Sequence, residues 1–243
     1  MQNSFYHCFL NENERIIAFI GGGGKSALIH RLLYDCKNLN KTIIISSLFP
    51  FRIPLEAHTL ISEDVGIIID RLPGEVKKNR IIYLGKRIQE DLITGFTSRE
   101  IKLIIDNLPA HHFFLEADNT NGRSLSGYQK VPKSFPYAVH RFINVIGADA
   151  FNQKKNTSWL SSNDAYWKSK TNLSMIYISE WYKNHRVLAN IAKKSISCTY
   201  FINKVENIFV ENLAIPLAKS FKLAGVDKVI IGSIFNSTFH VIK

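Results

Sequence analysis

A glycine-rich run followed by a lysine and a serine lies near the start of the chain. The run consists of Gly21, Gly22, Gly23, Gly24, Lys25 and Ser26. Glycine lets backbone amides turn towards an anion, and the N-terminus of a following helix adds unpaired N–H groups. Lys25 can then contact phosphate oxygens, and the Ser26 hydroxyl can ligate Mg²⁺. The run therefore predicts a phosphate-binding loop, with a purely structural glycine turn as the competing interpretation.

The loop is shorter than the regular phosphate-loop pattern GxxxxGK[ST], which requires glycine where this chain has Phe19. A compressed G-x-x-G-K-[ST] loop occurs in Mur-type ligases, so a short loop is compatible with phosphate binding. The short loop therefore also leaves open the hypothesis of a Mur-like ligase or kinase.

Two carboxylates stand at the end of the apolar run Phe113–Ala117. Glu116 and Asp118 are two residues apart, so on a strand they point to the same face. In phosphate-loop proteins an acidic residue at such a strand end holds Mg²⁺ and helps to orient an attacking water. We therefore expect Lys25, Glu116 and Asp118 to be catalytic, and Ser26 with Glu116 or Asp118 to hold Mg²⁺. Ordinary solvated acidic residues at a strand end are the alternative.

The segment Asn203-Lys204-Val205-Glu206 resembles the NKxD guanine-recognition motif, with Glu206 in place of aspartate. The longer side chain moves the carboxylate by about a bond length, which disfavours guanine specificity. Two interpretations stay open. Asn203, Lys204 and Glu206 contact a nucleotide base, or Asn203 caps a helix with Glu206 at the capping-box position.

Apolar runs alternate with segments of helical period along most of the chain, which predicts βαβ units. We expect one domain, residues 1–243, with a three-layer α/β fold, a mostly parallel sheet and a P-loop-NTPase-like nucleotide site. Ligands bind such sheets at the carboxyl ends of the strands. The predicted strands are Ile16–Ile20, Thr42–Ser46, Ile67–Ile69, Ile81–Leu84, Phe113–Ala117, Phe142–Ile146, Thr199–Ile202 and Val229–Ile231.

Four segments are predicted as helices from apolar residues at helical spacing. They are Lys25–Asp35, Ile101–Leu108 with Ser98 as its cap, Val187–Ala192, and Glu206–Lys222 with a kink or break at Pro216. The polar stretch Asn119–Ser134 is predicted to be a long loop beside the ligand crevice.

Net charge, cysteine spacing and the length of apolar runs indicate which partners and which compartment to expect. The 243 residues carry a net charge of +11, but the basic residues are dispersed, so a nucleic-acid partner is not expected. Cys8, Cys36 and Cys198 form no CxxC pair, which favours a reducing cytoplasm over a disulfide framework. The sequence shows no signal segment and no apolar run of about 20 residues, so no membrane partner is expected.

With these motifs in order, the chain resembles the YqeC family of selenium-dependent hydroxylase accessory proteins. That family shows a G-x-G-G-K-[ST] loop, a central L-E-A-D-G-A-x-G-R-x-L segment and a late N-K-x-D segment. The matching stretches here are Gly21–Ser26, Leu115–Leu125 and Asn203–Glu206. Asn119 stands where the family has glycine, and Glu206 where it has aspartate. The family's threonine run after the second strand is represented only by Ser46-Ser47.

The motifs predict a protein that binds ATP or GTP with Mg²⁺, and the resemblance implies that it acts in the maturation of a molybdenum-containing hydroxylase. Its partners would be that enzyme or its cofactor-maturation proteins. The resemblance also gives Arg123 a role as a clamp for phosphate or an acidic ligand; a surface arginine is the alternative. Two hypotheses stay open: slow NTP hydrolysis, or a non-catalytic module that binds a phosphorylated cofactor or docks on a client enzyme.

Overall fold

The computed structural model describes residues 5–11, 13–36, 41–54, 56–90, 92–107, 112–128, 131, 139–156, 158–161, 165–185 and 196–243. The strands, in chain order, are β1 (Ile16–Gly21), β2 (Ile43–Ser47), β3 (Phe51–Arg52), β4 (Thr59–Ile61), β5 (Ile81–Gly85), β6 (Ile88–Gln89), β7 (Leu92–Ile93), β8 (His112–Glu116), β9 (Leu125–Ser126), β10 (Arg141–Gly147), β11 (Leu160–Ser161), β12 (Ser197–Asn203), β13 (Lys228–Ser233) and β14 (Thr238–Ile242). The helices are α1 (Phe5–Phe9), α2 (Lys25–Cys36), α3 (Val65–Lys78), α4 (Ser98–Asp106), α5 (Ala165–Lys168), α6 (Met175–Asn184) and α7 (Ile208–Leu223).

Nine strands form a central sheet in the order β14-β13-β12-β10-β1-β8-β2-β5-β4. Neighbouring strands are parallel except for β13 and β14, which are antiparallel. The predicted mostly parallel sheet is therefore confirmed. Because β1 lies between β10 and β8, the glycine loop that follows β1 emerges at the middle of the carboxyl edge.

Side chains that alternate along β1 divide the core into two faces. Ile16, Ala18 and Ile20 pack on the face covered by α3, α4, α6 and α7. Ile17 and Phe19 pack on the opposite face, against α1 and α2. Helices on both faces of one sheet make the three-layer α/β arrangement that the sequence predicts.

The predicted strand Ile67–Ile69 is wrong, because these residues lie inside helix α3. Ile68 is fully buried whereas Ile67 is 43% exposed, and Leu72, four residues after Ile68, is buried with it. Asp64 caps the helix by accepting a hydrogen bond from the Gly66 amide at 2.8 Å. Three isoleucines suggest a buried strand, but their burial follows the helical period.

Two helix predictions also need correction. Thr97, rather than Ser98, caps α4, and it forms a capping box with Glu100. Helix α7 continues through Pro216, so of the two predicted outcomes, a kink or a break into two pieces, the break does not occur. Buried Ala214 and Leu217 on either side of the proline pack on the sheet, and this packing offsets the cost of about 3 kcal/mol. The predicted helix Val187–Ala192 lies outside the described residues.

The edges of the central sheet were not predicted. Strand β4 has only three residues and β14 is exposed along most of its length, so both lack the continuous buried apolar run of the inner strands. A small antiparallel sheet, β3-β7-β6, lies outside the central one, and β9 pairs with β11. Within the described ranges, no helix combines the length and the apolar character needed to cross a bilayer.

A buried ion pair joins the segment before β1 to the start of β10. The Arg141 guanidinium donates two hydrogen bonds to the Glu14 carboxylate and a third to the Thr199 hydroxyl. Burial by itself raises the pKa of Glu14, but the hydrogen bonds from Arg141 and Asn11, together with the charge of Arg141, outweigh burial, so the pKa is lowered. The charged form of Glu14 therefore stabilises the folded chain at neutral pH.

Removing this carboxylate tests its contribution. Glu14→Gln should lower the free energy of unfolding at pH 7 by about 3 kcal/mol, because Arg141 is left buried without a counter-charge. The difference from wild type should begin to shrink as the pH falls below 4.5, the ordinary pKa of the group, because Glu14 of the unfolded chain then takes up a proton. It should be lost as the pH falls through the lowered pKa of Glu14 in the folded chain. Denaturant unfolding at several pH values measures both effects.

Glu63→Gln is the matched control, because its pair with Arg87 is more than half exposed on both sides. It should change the unfolding free energy little at any of these pH values. An equal effect of the two substitutions, or a Glu14→Gln effect that does not depend on pH, contradicts the prediction.

Candidate functional site

The N-terminus of α2 presents unpaired backbone amides at the carboxyl edge of the sheet. The Leu28 amide donates to the Gly24 carbonyl at 2.9 Å, which makes Gly24 the N-cap residue that precedes the helix. The N–H groups of Lys25, Ser26 and Ala27 therefore have no intrahelical acceptor. Because Gly24 has no side chain, it cannot cap them as Asp64 caps α3. Three amides and the positive end of the helix dipole form a site for an anion.

Lys25 adds a positive charge to this site. Its ammonium group donates a hydrogen bond to the Gly21 carbonyl at 2.7 Å, so the side chain arches back over the glycine loop. The residue is 7% exposed. A cation held directly over the loop can contact an anion bound to the helix amides.

Ser26 and Glu116 meet across the first turn of α2. The Ser26 hydroxyl donates to Glu116 Oε1 at 2.7 Å, and Glu116 is the last residue of β8. Two adjacent ligands of an octahedral Mg²⁺ ion lie about 2.9 Å apart, because each Mg–O bond is about 2.0–2.1 Å. These two oxygens therefore fit a pair of Mg²⁺ ligands. Within the described ranges, no cluster of three or more His, Cys, Asp or Glu side chains is placed to hold a metal ion.

The charge of Glu116 acts on two titratable neighbours. Burial, with a smaller contribution from the Glu116 carboxylate, raises the pKa of Tyr83 to about 12. Burial lowers the pKa of His30, and Glu116 partly opposes that shift. Tyr83 is consequently neutral at physiological pH.

Asp118 is placed differently from Glu116, although the same roles were predicted for the two carboxylates. It is 4% exposed, and its Oδ2 accepts a hydrogen bond from the Gly21 amide at 3.3 Å and another from the Ser126 hydroxyl. The Ser126 hydroxyl also accepts from the Tyr128 amide at 2.9 Å. Asp118 thus ties the glycine loop to the segment that follows β8.

The glycine loop itself is packed against three other segments. The Gly22 amide donates to Val145 in β10 at 2.8 Å, and the Gly23 amide donates to the Arg123 carbonyl at 2.9 Å. A methyl group on Gly22 would lie 2.5 Å from the Arg123 carbonyl oxygen, and Gly23 has a φ of +77°. No residue with a side chain fits at Gly22, and few adopt the backbone of Gly23.

A pocket of about 790 Å³ opens in front of these groups. Its positive side chains are Lys25, Arg52 and Arg123, and its carboxylates are Glu116 and Asp118. Arg123 also donates to the Thr120 carbonyl at 3.3 Å. The pocket is lined by Gly23–Ala27, Ser47, Phe49–Arg52, Leu92, Glu116 and Asp118–Arg123.

Part of this lining was missed by sequence reasoning. Ser47, Phe49 and Phe51 come from the end of β2 and the segment after it, and Leu92 from the small sheet. The end of β2 could have been found, because β2 is the second strand from β1 and its carboxyl end must lie at the same edge. Leu92 carries no local signal, since its place depends on the pairing of β7 with β3.

The Asn203–Glu206 motif lies on the opposite side of the glycine loop from the pocket. Asn203 is buried; its amide group donates to the Gly23 carbonyl at 2.8 Å, and its Oδ1 accepts from the Ile234 amide. The Lys204 ammonium donates to Asp149 at 2.6 Å, and Glu206 is exposed. Among the described residues that line the pocket, none of these three is found.

The capping interpretation of Asn203 is wrong, because Asn207 caps α7 through the Val210 amide. Asn203 instead bridges the glycine loop and the end of β13. Base recognition by Asn203, Lys204 and Glu206 stays a prediction.

Comparison with protein families identified one matching family model, described as YqeC protein, over residues 17–162. The matched stretch contains the glycine loop, Glu116, Asp118 and Arg123. Searches of curated proteins and of solved structures returned no match.

The packing of the glycine loop can be tested by adding one methyl group. Gly22→Ala should lower the free energy of unfolding by about 1–3 kcal/mol, because the new carbon collides with the Arg123 and Ser124 backbone. Gly74→Ala is the control: it lies inside α3 with nothing within 4 Å of the added carbon, and should raise stability by about 0.5–1 kcal/mol. Urea unfolding measures the change in the free energy of unfolding for each variant. A Gly22→Ala chain that gains stability, as Gly74→Ala should, would show that the loop is not tightly packed.

Proposed function

Because the chain belongs to the YqeC family, we propose that it binds a magnesium nucleotide, ATP or GTP, as an accessory factor in the maturation of a selenium-dependent molybdenum hydroxylase. The observation that carries the nucleotide proposal is the contact of Ser26 with Glu116 beside the open N-terminus of α2. The amides and Lys25 supply a site for phosphate, and the two oxygens supply part of a Mg²⁺ site. The accessory role rests on the family.

Each residue has a separate task in this proposal. The amides of Lys25, Ser26 and Ala27 bind phosphate oxygens, and Lys25 leaves the Gly21 carbonyl to contact them. Ser26 and Glu116 hold Mg²⁺, which neutralises phosphate charge when bound. Asp118 fixes the loop through the Gly21 amide, and Arg123 contacts the ligand from the opposite wall. For slow hydrolysis, Glu116 orients the attacking water, either directly or through a second bound water.

A second candidate is a non-catalytic module that binds a phosphorylated cofactor. The hydrogen bonds of the Gly22 and Gly23 amides favour it, because these two donors already bond carbonyl oxygens of the chain. Fewer amides are then left to surround a transferred phosphoryl group, which weakens the electrostatic stabilisation that hydrolysis needs.

Nucleotide binding is tested by thermal unfolding. MgATP or MgGTP at about a hundred times its Kd should raise the Tm of the wild-type chain by roughly 5–10 °C. Lys25→Ala should abolish the rise, because the buried cation beside the phosphate is lost. Lys102→Ala removes an exposed lysine of α4 that pairs with Asp106, and should keep the rise. No rise with either nucleotide in the wild-type chain would rule the proposal out.

Turnover is tested separately by phosphate release from the purified chain. A slow NTPase should release phosphate above background, and Glu116→Gln should remove at least nine-tenths of that release, because Mg²⁺ loses a ligand. Glu63→Gln, on an exposed side chain, should leave release unchanged. A nucleotide-dependent rise in Tm without release supports the binding module, and equal release by wild type and Glu116→Gln contradicts the role of Glu116.

A further inference from the structure

The segment between β8 and β9 crosses over the glycine loop. The Arg123 carbonyl accepts from the Gly23 amide at 2.9 Å, and the Ser124 carbonyl accepts from the Gly147 amide at 2.8 Å. The chain therefore passes from the end of β8 over the end of β1 and onto the end of β10. Arg123 and Ser124 thus each accept a hydrogen bond from the carboxyl edge of the sheet and its loop, and they form a wall there, which we call the Arg123–Ser124 wall.

The wall continues on its far side through side chains. The Lys204 ammonium donates to the Ser124 hydroxyl at 3.3 Å and to Asp149 at 2.6 Å. A methyl group on Gly147 would lie 2.6 Å from the Ser124 side chain, so these groups are in direct contact. A ligand whose phosphates occupy the N-terminus of α2 meets this wall if it extends towards Lys204 and Glu206.

The opposite direction, towards β8 and β2, is open. The pocket continues there from Lys25 and Ser26 to a compartment walled by Phe49, Phe51, Leu92 and Arg52. We call it the ring compartment. Phe49 is half-buried and Arg52 is exposed. Both residues line the pocket, and an aromatic side chain and a guanidinium group each suit the face of a planar heterocycle, through stacking and cation–π contact.

We propose that the nucleotide lies with its base in the ring compartment, over β8 and β2, and not beside Lys204 and Glu206. This placement rests on the proposed function, since it takes the phosphates to be at α2. It reverses the direction that the Asn203–Glu206 motif suggests. Phe49 stacks on the base, and stacking tolerates any base, so the affinities for MgATP and MgGTP should agree within about tenfold.

Matched phenylalanine substitutions on the two sides of the loop test the placement. Phe49→Ala should weaken MgATP binding to the full chain by about tenfold or more, because the stacking surface is lost. Phe235→Ala removes an aromatic side chain that is 88% exposed in the turn after β13, on the Lys204 side, and should leave the Kd unchanged. Isothermal titration calorimetry measures the Kd of each variant.

Inorganic triphosphate with Mg²⁺ is the second probe, because it has phosphates but no base. Wild type and Phe49→Ala should bind triphosphate with the same Kd. If the substitution instead distorted the glycine loop, it would also weaken the binding of triphosphate. Any result in which Phe49→Ala loses no more MgATP affinity than Phe235→Ala overturns the placement alone. If the wild-type chain binds neither MgATP, MgGTP nor triphosphate, the proposed function falls and the placement falls with it.

Discussion

The close packing of the glycine loop is the constraint on which the rest of the site depends. The loop touches β10 through Gly22, the Arg123 segment through Gly23 and the end of β12 through Asn203. Such contacts between backbones require residues without a side chain, which explains why four glycines stand together. They also use two of the loop amides. The first turn of α2, whose amides have no intrahelical acceptor, is therefore the part of this region that can still offer backbone donors to an anion.

Two carboxylates near one another do different work because their surroundings differ. Glu116 ends a strand at the pocket and meets a hydroxyl, so its charge is available to a cation. Asp118 is buried, and a buried carboxylate is stable only when donors satisfy it. The Gly21 amide and the Ser126 hydroxyl do so, and Tyr128 extends the network by donating to Asn144 at 2.7 Å. Asp118 therefore holds the loop in place, and Glu116 is the better candidate for Mg²⁺.

The inner strands and α2 were predictable because each has a strong local signal. A buried parallel strand is a continuous apolar run, and a glycine run before an amphipathic stretch marks a loop before a helix. Ile67–Ile69 misled because a short apolar run fits a buried strand as well as a helix turn. Asn203 misled because its bonds go to Gly23 and Ile234, which are distant in sequence. The ring compartment could not be predicted, since Leu92 reaches it only through the pairing of β7 with β3.

The direction in which a ligand extends from α2 is also a question of energy. A base beside Lys204 requires the Arg123–Ser124 wall to open, which breaks two backbone hydrogen bonds worth about 1 kcal/mol each. The Lys204–Asp149 pair is about one-third exposed on each side, so its loss adds at most about 1 kcal/mol. A total of about 2–3 kcal/mol would reduce the apparent affinity roughly 30- to 150-fold. The ring compartment requires no such opening, so the same contacts with a base give tighter binding there.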